Sequence, residues 1–287
     1  MEGARVTSPA DAMTNVRPLV DRWDAELRLA GLLPALRGQD VLVLGIALGG
    51  VPVAAQVARL LGPELDVVVA RKIGVPFQPK LALGAVTADG SRFTNLALVR
   101  DLKLSTRLLR VLADEQRAAA RLSEERLRGH RPPPRITGRT EIVVDDGLAT
   151  GATMRAALRS VHRGGPSRVV VAAPVVARPT AQALRGEAAE VVCILEPDPF
   201  FAVGLYYEHF EPVSDDAVCQ LLAGESVPSK PTHEPLVLIS YVAADQVCYA
   251  FTGHRVRQAL HLHHRRPAGS RPDRQARGHP HHGALRR

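Results

Sequence analysis

Five stretches of the chain are apolar with little interruption for three to six positions: Val41 to Ile46, Leu65 to Ala70, Ile142 to Val144 with its flanks, Arg168 to Ala173 and Glu190 to Leu195. Runs of that kind without polar alternation are expected of strands covered on both faces, the usual state of a parallel sheet. Between them the apolar spacing changes to three and four. Leu19, Val20, Trp23, Leu27 and Ala30 describe an amphipathic helix closing near Gly31, and Val53, Val57, Leu60 and Leu61 describe a second that stops at Gly62. Leu102 to Gly129 predicts a long helix capped by Ser105, with Leu108, Leu112, Ala119 and Leu122 facing the core. Pro179 to Arg185 and Ser214 to Ala223 predict two short ones. Strand and helix in alternation give an α/β fold with a doubly wound, mostly parallel, Rossmann-like sheet.

Two stretches break the alternation. Residues 73–95, punctuated by Gly74, Pro76, Pro79, Gly84 and Gly90, are too interrupted for a single regular element. Beyond Gly224, Leu236 to Val242 is compatible with one more strand, and from Gly253 onward Arg, His, Pro and Gly dominate without period, so disorder is expected. Residues 1 to 17 are likewise aperiodic.

Charge sharpens this division. The chain carries 37 Lys and Arg against 29 Asp and Glu. Gly253 to Arg287 alone holds nine Arg and one Asp, so residues 1 to 252 balance at 28 basic and 28 acidic side chains. The basicity belongs to the tail, where no aromatic residues or folded scaffold accompany it, and nucleic acid is not the expected partner. The tail also holds seven of the eleven His; its cluster at His261, His263 and His264 reads as fortuitous. No apolar run reaches the ~20 residues of a membrane span and no signal h-region is seen, so a cytoplasmic location is expected. Three widely spaced cysteines, Cys193, Cys219 and Cys248, fit neither a disulfide framework nor a zinc site.

The chemistry concentrates at Ile142-Val143-Val144-Asp145-Asp146-Gly147-Leu148-Ala149-Thr150-Gly151-Ala152-Thr153. A buried strand ends in two carboxylates, and a loop of small and hydroxylated residues leads into a helix. Strand, tight loop and helix N-terminus present unpaired backbone N–H groups to an anion. The carboxylates suit vicinal hydroxyls or a hydrated divalent cation. Together they ask for a phosphorylated sugar. The bland alternative is a strand whose acidic end serves another doubly wound protein, such as a phosphoacceptor domain. That leaves the Ala-Thr-Gly-Ala-Thr loop unexplained.

This run resembles the phosphoribosyl-pyrophosphate (PRPP) signature of the type I phosphoribosyltransferases, in adenine-type wording, and is similar to a bacterial group of predicted phosphoribosyltransferases. The resemblance implies one domain over residues 1–224, with a flexible flap at 73–95 and a small hood at 197–212, followed by the basic tail 225–287. It implies transfer of phosphoribose from PRPP to a nitrogenous base with release of pyrophosphate, Mg²⁺ as cofactor, and room for a homodimer. Asp145 and Asp146 are then the catalytic pair and the metal ligands. Ala149, Thr150, Gly151, Ala152 and Thr153 hold the 5′-phosphate, and the turn Leu48-Gly49-Gly50 with Arg71 and Lys72 receives the pyrophosphate. Phe200 or Phe201 of the hood stacks on the base. Three positions depart from relatives: Leu48 stands where many have Arg, Gln78-Pro79-Lys80 where Asn-Pro-Glu is common, and Ala149 where hypoxanthine-guanine enzymes have Asp. A PRPP- or nucleotide-sensing regulator on the same fold is the second reading.

Overall fold

The computed structural model describes residues 18–33, 36, 39–76, 78–225, 238–243 and 246–251. The expectations for residues 1 to 17 and for the tail from Gly253 lie outside them. Five parallel strands form the central sheet: β1 (Val41–Ile46), β2 (Glu64–Val68), β6 (Thr140–Val144), β7 (Arg168–Val175) and β8 (Glu190–Leu195), in the order β2-β1-β6-β7-β8. The chain runs outward from β1 to β2, then returns to β1's other side with β6. The strand order therefore reverses between β1 and β6, and a doubly wound sheet opens its ligand crevice at such a point, beyond the carboxyl ends of the strands.

Both faces of the sheet are covered, which is why its strands are apolar throughout. Val143 turns to one face, among Met154, Leu158 and Val161 of α5 (Ala152–Arg163); Ile142 and Val144 turn to the other, among Leu29 of α1 (Arg22–Gly31) and Val53 and Val57 of α2 (Gly50–Leu61). Two buried carboxylates break the rule: Asp66 of β2, paired with Arg128 at 3.4 Å and Arg131 at 3.5 Å, and one that has no such partner. Glu141 of β6 is fully buried, and neither carboxyl oxygen has a hydrogen-bond partner among the described residues.

Three expectations from the pattern are corrected. The helix predicted from Leu19 begins at Arg22, because the Asp21 side chain accepts the Asp24 amide at 2.9 Å and caps it there. Leu19 is instead extended and bridges Tyr207, and the buried face is Ala25, Glu26, Leu29 and Ala30 rather than Trp23 and Leu27. In the long helix α4 (Thr106–Arg128), the core residues are Leu109, Ala113, Ala120 and Leu127, one step round from the stripe of leucines; Leu122 is 68% exposed. The small residues let α4 lie close against two different surfaces, Ile73, Leu83 and Val86 at its start and Val67, Val69 and Val218 at its end. Third, the strand expected at Leu65 to Ala70 stops at Val68, and Ala70 opens a separate antiparallel sheet of β3 (Ala70–Val75), β4 (Gln78–Thr87) and β5 (Arg92–Thr94).

The remaining elements are α3 (Leu96–Asp101), α6 (Arg178–Leu184), a 3-10 turn over Val203–Tyr206, α7 (Asp215–Leu222), and a hairpin of β9 (Leu238–Ala243) with β10 (Gln246–Phe251). The strand expected near Leu236 is thus one arm of a pair. Ser105 caps α4 as predicted, its hydroxyl oxygen accepting the Leu108 amide at 3.2 Å. Ser105→Ala is expected to lower stability by about 1 kcal/mol in urea denaturation.

Candidate functional site

Two strand-to-helix turns meet at the reversal between β1 and β6. The first, Ala47-Leu48-Gly49, carries β1 into α2 through a cis peptide between Ala47 and Leu48. The second, residues 145 to 151, carries β6 into α5. They are packed to the limit. A side chain on Gly49 would collide with the Asp146 carboxylate, and one on Gly50 would meet the Val144 carbonyl and lie 2.8 Å from the Asp145 Cα. Gly151 sits at φ +68°, and a Cβ there would be 2.8 Å from Thr180 Cγ2. Neither α2 nor α5 has a side-chain cap or an acidic residue in its first turn. Each therefore turns the positive end of its dipole toward the crevice, α5 with its first-turn amides and α2 with that of Gly50, since Val51 N–H donates to the Leu48 carbonyl at 3.2 Å and Pro52 has none.

The carboxylates lie between these helix ends. Asp145 is half-buried and its Oδ1 accepts the Asp146 amide at 2.9 Å. Burial, and then the negative charge of Asp146, push its carboxyl well above the usual range; that hydrogen bond and the charges of Lys72 and Arg22 oppose the rise. Asp146 is held more firmly. Arg22 donates to its Oδ2 from Nε at 3.1 Å and Nη2 at 2.8 Å, donates from Nη1 to the Glu211 carbonyl at 2.7 Å, and stacks 4.0 Å over the Phe210 ring. The Tyr207 hydroxyl donates to the Asp146 carbonyl at 2.6 Å. Thr180 donates to the Ala149 carbonyl and fixes the loop from the far side. Sequence reasoning misses Arg22, Tyr207 and Thr180, which reach the loop from 124, 61 and 31 residues away and are marked by no local pattern.

The other expected residues divide. Thr150 is exposed and Thr153 half-buried, with no protein partner for either hydroxyl among the described residues. Ala149 is exposed and Ala152 buried at the helix start. Leu48 is half-buried and packs on the apolar cluster that holds Val51, Val67 and Val218. Arg71 and Lys72 are adjacent on β3 and so point to opposite faces. Lys72 bears on Asp145, whereas Arg71 donates to the Gln116 side chain of α4 at 3.3 Å. In the hood, Phe200 stacks on Tyr206 at 5.4 Å between centroids within a cluster that includes Leu19 and Val175, and Phe201 is half-buried. Val203 lies directly on Gly147, so the hood covers the loop. Among the described residues no three His, Cys, Asp or Glu gather as a metal site, and no helix is long and apolar enough to cross a membrane.

A doubly wound sheet whose switch point carries two uncapped helix ends around an acidic doublet defines a protein of the type I phosphoribosyltransferase class. The chain belongs to that family: the model of the phosphoribosyl transferase domain matches residues 19–209. Two Mycobacterium tuberculosis proteins named as phosphoribosyl transferases, Rv0571c of strain H37Rv and MT0597 of strain CDC 1551, are each 44% identical over 202 residues. That alignment takes in 70% of this chain and 46% of theirs, so the chain spans about half the length of these relatives. The crystal structure of TT1426 from Thermus thermophilus is 42% identical with a TM-score of 0.62, over 74% of this chain and 100% of that one.

Proposed function

We propose that the protein transfers phosphoribose from PRPP to a nitrogenous acceptor and releases pyrophosphate. The observation that carries this reading is the pair of uncapped helix N-termini on either side of Asp145 and Asp146. PRPP bears anions at both ends of a ribose diol, and the site offers two anion cradles with carboxylates between. The amides of Ala149 to Thr153 and the hydroxyls of Thr150 and Thr153 would hold the 5′-phosphate. Asp145 and Asp146 would accept hydrogen bonds from the ribose hydroxyls, Arg22 fixing the orientation of Asp146. The amides of the Leu48-Gly49-Gly50 turn, with Lys72 above them, would take the pyrophosphate.

Oxygen donors of this kind fit Mg²⁺, which binds through one or two carboxylates together with substrate phosphates. Mg²⁺ when bound would neutralise charge building on the leaving pyrophosphate. No protein nucleophile is needed: loss of pyrophosphate leaves an oxocarbenium-like sugar, and positioning and fixed charge do the work. The hood and the β3-β4-β5 sheet would exclude water from that centre, with Phe200 and Phe201 flanking the acceptor. Ala149 in place of an Asp speaks against a 6-oxopurine acceptor. A cytoplasmic, nucleotide-metabolic setting accords with PRPP as substrate.

Two observations favour a PRPP sensor as the second reading: Leu48 supplies no cation to the pyrophosphate turn, and Asp146 is already engaged by Arg22. Calorimetry with PRPP and Mg²⁺, followed by a pyrophosphate-release screen over bases, separates them. Binding with turnover supports the enzyme, and binding without turnover for any base supports the sensor. Asp146→Asn is expected to weaken PRPP at least about tenfold, roughly the 1.5–3 kcal/mol of a hydrogen bond to a charged group. Unchanged affinity would refute the site.

A further inference from the structure

A second basic centre lies on α5, away from its N-terminal loop. The last two turns of α5 and the strand β5 enclose an open groove of about 520 Å³, lined by Ser91, Arg92, Arg159, His162, Arg163 and Glu187 beside the buried Leu158. Its positive charge is poorly matched. The Glu187 carboxylate is taken by Arg155 at 2.8 Å. Burial pushes the Asp89 carboxyl up, but hydrogen bonds from Thr87, Ser91 and Ser160 outweigh it and hold the carboxyl below its usual range, so this charge is satisfied by its own turn and by Ser160 of α5. Arg163 reaches that carboxylate at 3.7 Å and donates to the Ser91 hydroxyl oxygen at 3.3 Å, while Arg159 donates to the Arg92 backbone carbonyl, so both forks hydrogen-bond to neutral acceptors. Phe93 packs on Ala152 and Ala156 of α5, so pleating turns the neighbouring Arg92 side chain to the opposite face of β5, and it is the Arg92 carbonyl that meets α5. His162 Nδ1 bonds the Leu158 carbonyl at 2.7 Å, which leaves Nε2 facing outward.

From this arrangement we infer an anion-binding site for a phosphate-bearing small molecule, separate from the crevice that holds Asp145 and Asp146. Two guanidinium groups one turn apart on α5, Arg159 and Arg163, match the oxygens of a phosphate or diphosphate better than a lone carboxylate, because arginine's planar fork pairs with phosphate oxygens two at a time. The volume falls within the range of small-molecule sites. The position gives the ligand leverage. Phe93 of β5 packs with Ala85, Ala152 and Ala156, and Arg155 and Arg159 lie over its ring at 4.7 and 5.4 Å. An anion held by Arg159 and Arg163 sits where α5, the helix that begins at the phosphate loop, meets β5 of the antiparallel sheet that carries Lys72.

Inorganic pyrophosphate and ADP are the probes, titrated calorimetrically into the wild-type chain, the variant Arg159→Ala/Arg163→Ala and a control, Arg107→Ala/Arg110→Ala, which removes two exposed charges from α4. The expected result is that the first variant binds one equivalent fewer than wild type, or binds that equivalent at least tenfold more weakly, while the control is unchanged. Loss with pyrophosphate alone identifies a free diphosphate as the ligand, and loss with ADP identifies a nucleotide. Equal stoichiometry and affinity in wild type and variant, or equal losses in variant and control, would overturn the inference. The number of equivalents bound keeps the two sites apart, since Asp145, Asp146 and both crevice turns are present in all three proteins.

Discussion

Gly50→Ala is expected to cost about 2–3 kcal/mol of stability and to abolish measurable PRPP binding, since overpacking against fixed backbone carries a penalty of that size. The added methyl would meet the Val144 carbonyl and approach the Asp145 Cα to 2.8 Å. Neither can yield cheaply, for Val144 belongs to β6, paired on both sides at the centre of the sheet. The displacement falls on the acidic doublet itself, so the site deforms before the fold fails. Thermal unfolding together with PRPP calorimetry reads both effects. Gly62→Ala is the comparison: at φ +88° with nothing within 4 Å, it strains only its own backbone, costing about 1 kcal/mol and leaving ligand affinity alone. Retained PRPP binding in Gly50→Ala would mean the two turns do not form one site.

Glu141→Leu is expected to stabilise the protein by roughly 2–3 kcal/mol at pH 8, as replacing a buried carboxyl without partners by an apolar side chain can do. That runs against the usual direction for a substitution in a core strand. Burial pushes the Glu141 carboxyl up to about 8, with the charges of Glu64 and Asp40 adding to the rise and Arg139 opposing it. Its neighbours across the sheet are Leu42 and Val169, an environment that leucine suits. The pH dependence follows from linkage. A folded-state pKa above the unfolded value of 4.5 means that the folded protein binds the extra proton; the associated stability is complete below about pH 4.5 and is lost as pH rises through 8. Glu26, pushed up to about 9 by burial and then by Asp21, acts in the same direction. Wild-type stability should therefore fall between about pH 5 and pH 9, each group contributing up to ~1.4 kcal/mol per pH unit. Urea denaturation across that range should show a shallower fall in Glu141→Leu. Identical slopes in both proteins would refute the assignment.

The strands of the central sheet are legible in the sequence because both of their faces are covered: apolar runs at 41–46 and 190–195 admit few other readings. The helix faces are less so. In α4, Leu108 and Leu112 recur with the same period as Leu109 and Ala113, and periodicity cannot tell which stripe meets the core when alanines make the close approach. The β3-β4-β5 sheet is hidden by its own glycines and prolines. It also moves Arg71 and Lys72 from the end of one strand into the body of another, where pleating sends them apart. At the site, the acidic doublet and the glycine turns can be read locally, since strand, loop and helix are consecutive. Their meeting cannot, because it depends on β1 and β6 lying side by side. The same holds for Arg22, whose partner at Asp146 is fixed by where α1 crosses the sheet.

The two uncapped helix ends spring from neighbouring strands, and their separation is as rigid as the sheet, whose strands lie about 4.8 Å apart. They form a ruler. A molecule with an anion at each end gains from both positions at once, the second contact being made at the high effective concentration that a short tether provides. A fragment with one anion reaches only one position. On the proposed reading, breaking the covalent link between the two anions would convert a ligand the crevice grips into two that it releases, so that departure is built into the same geometry that secures arrival.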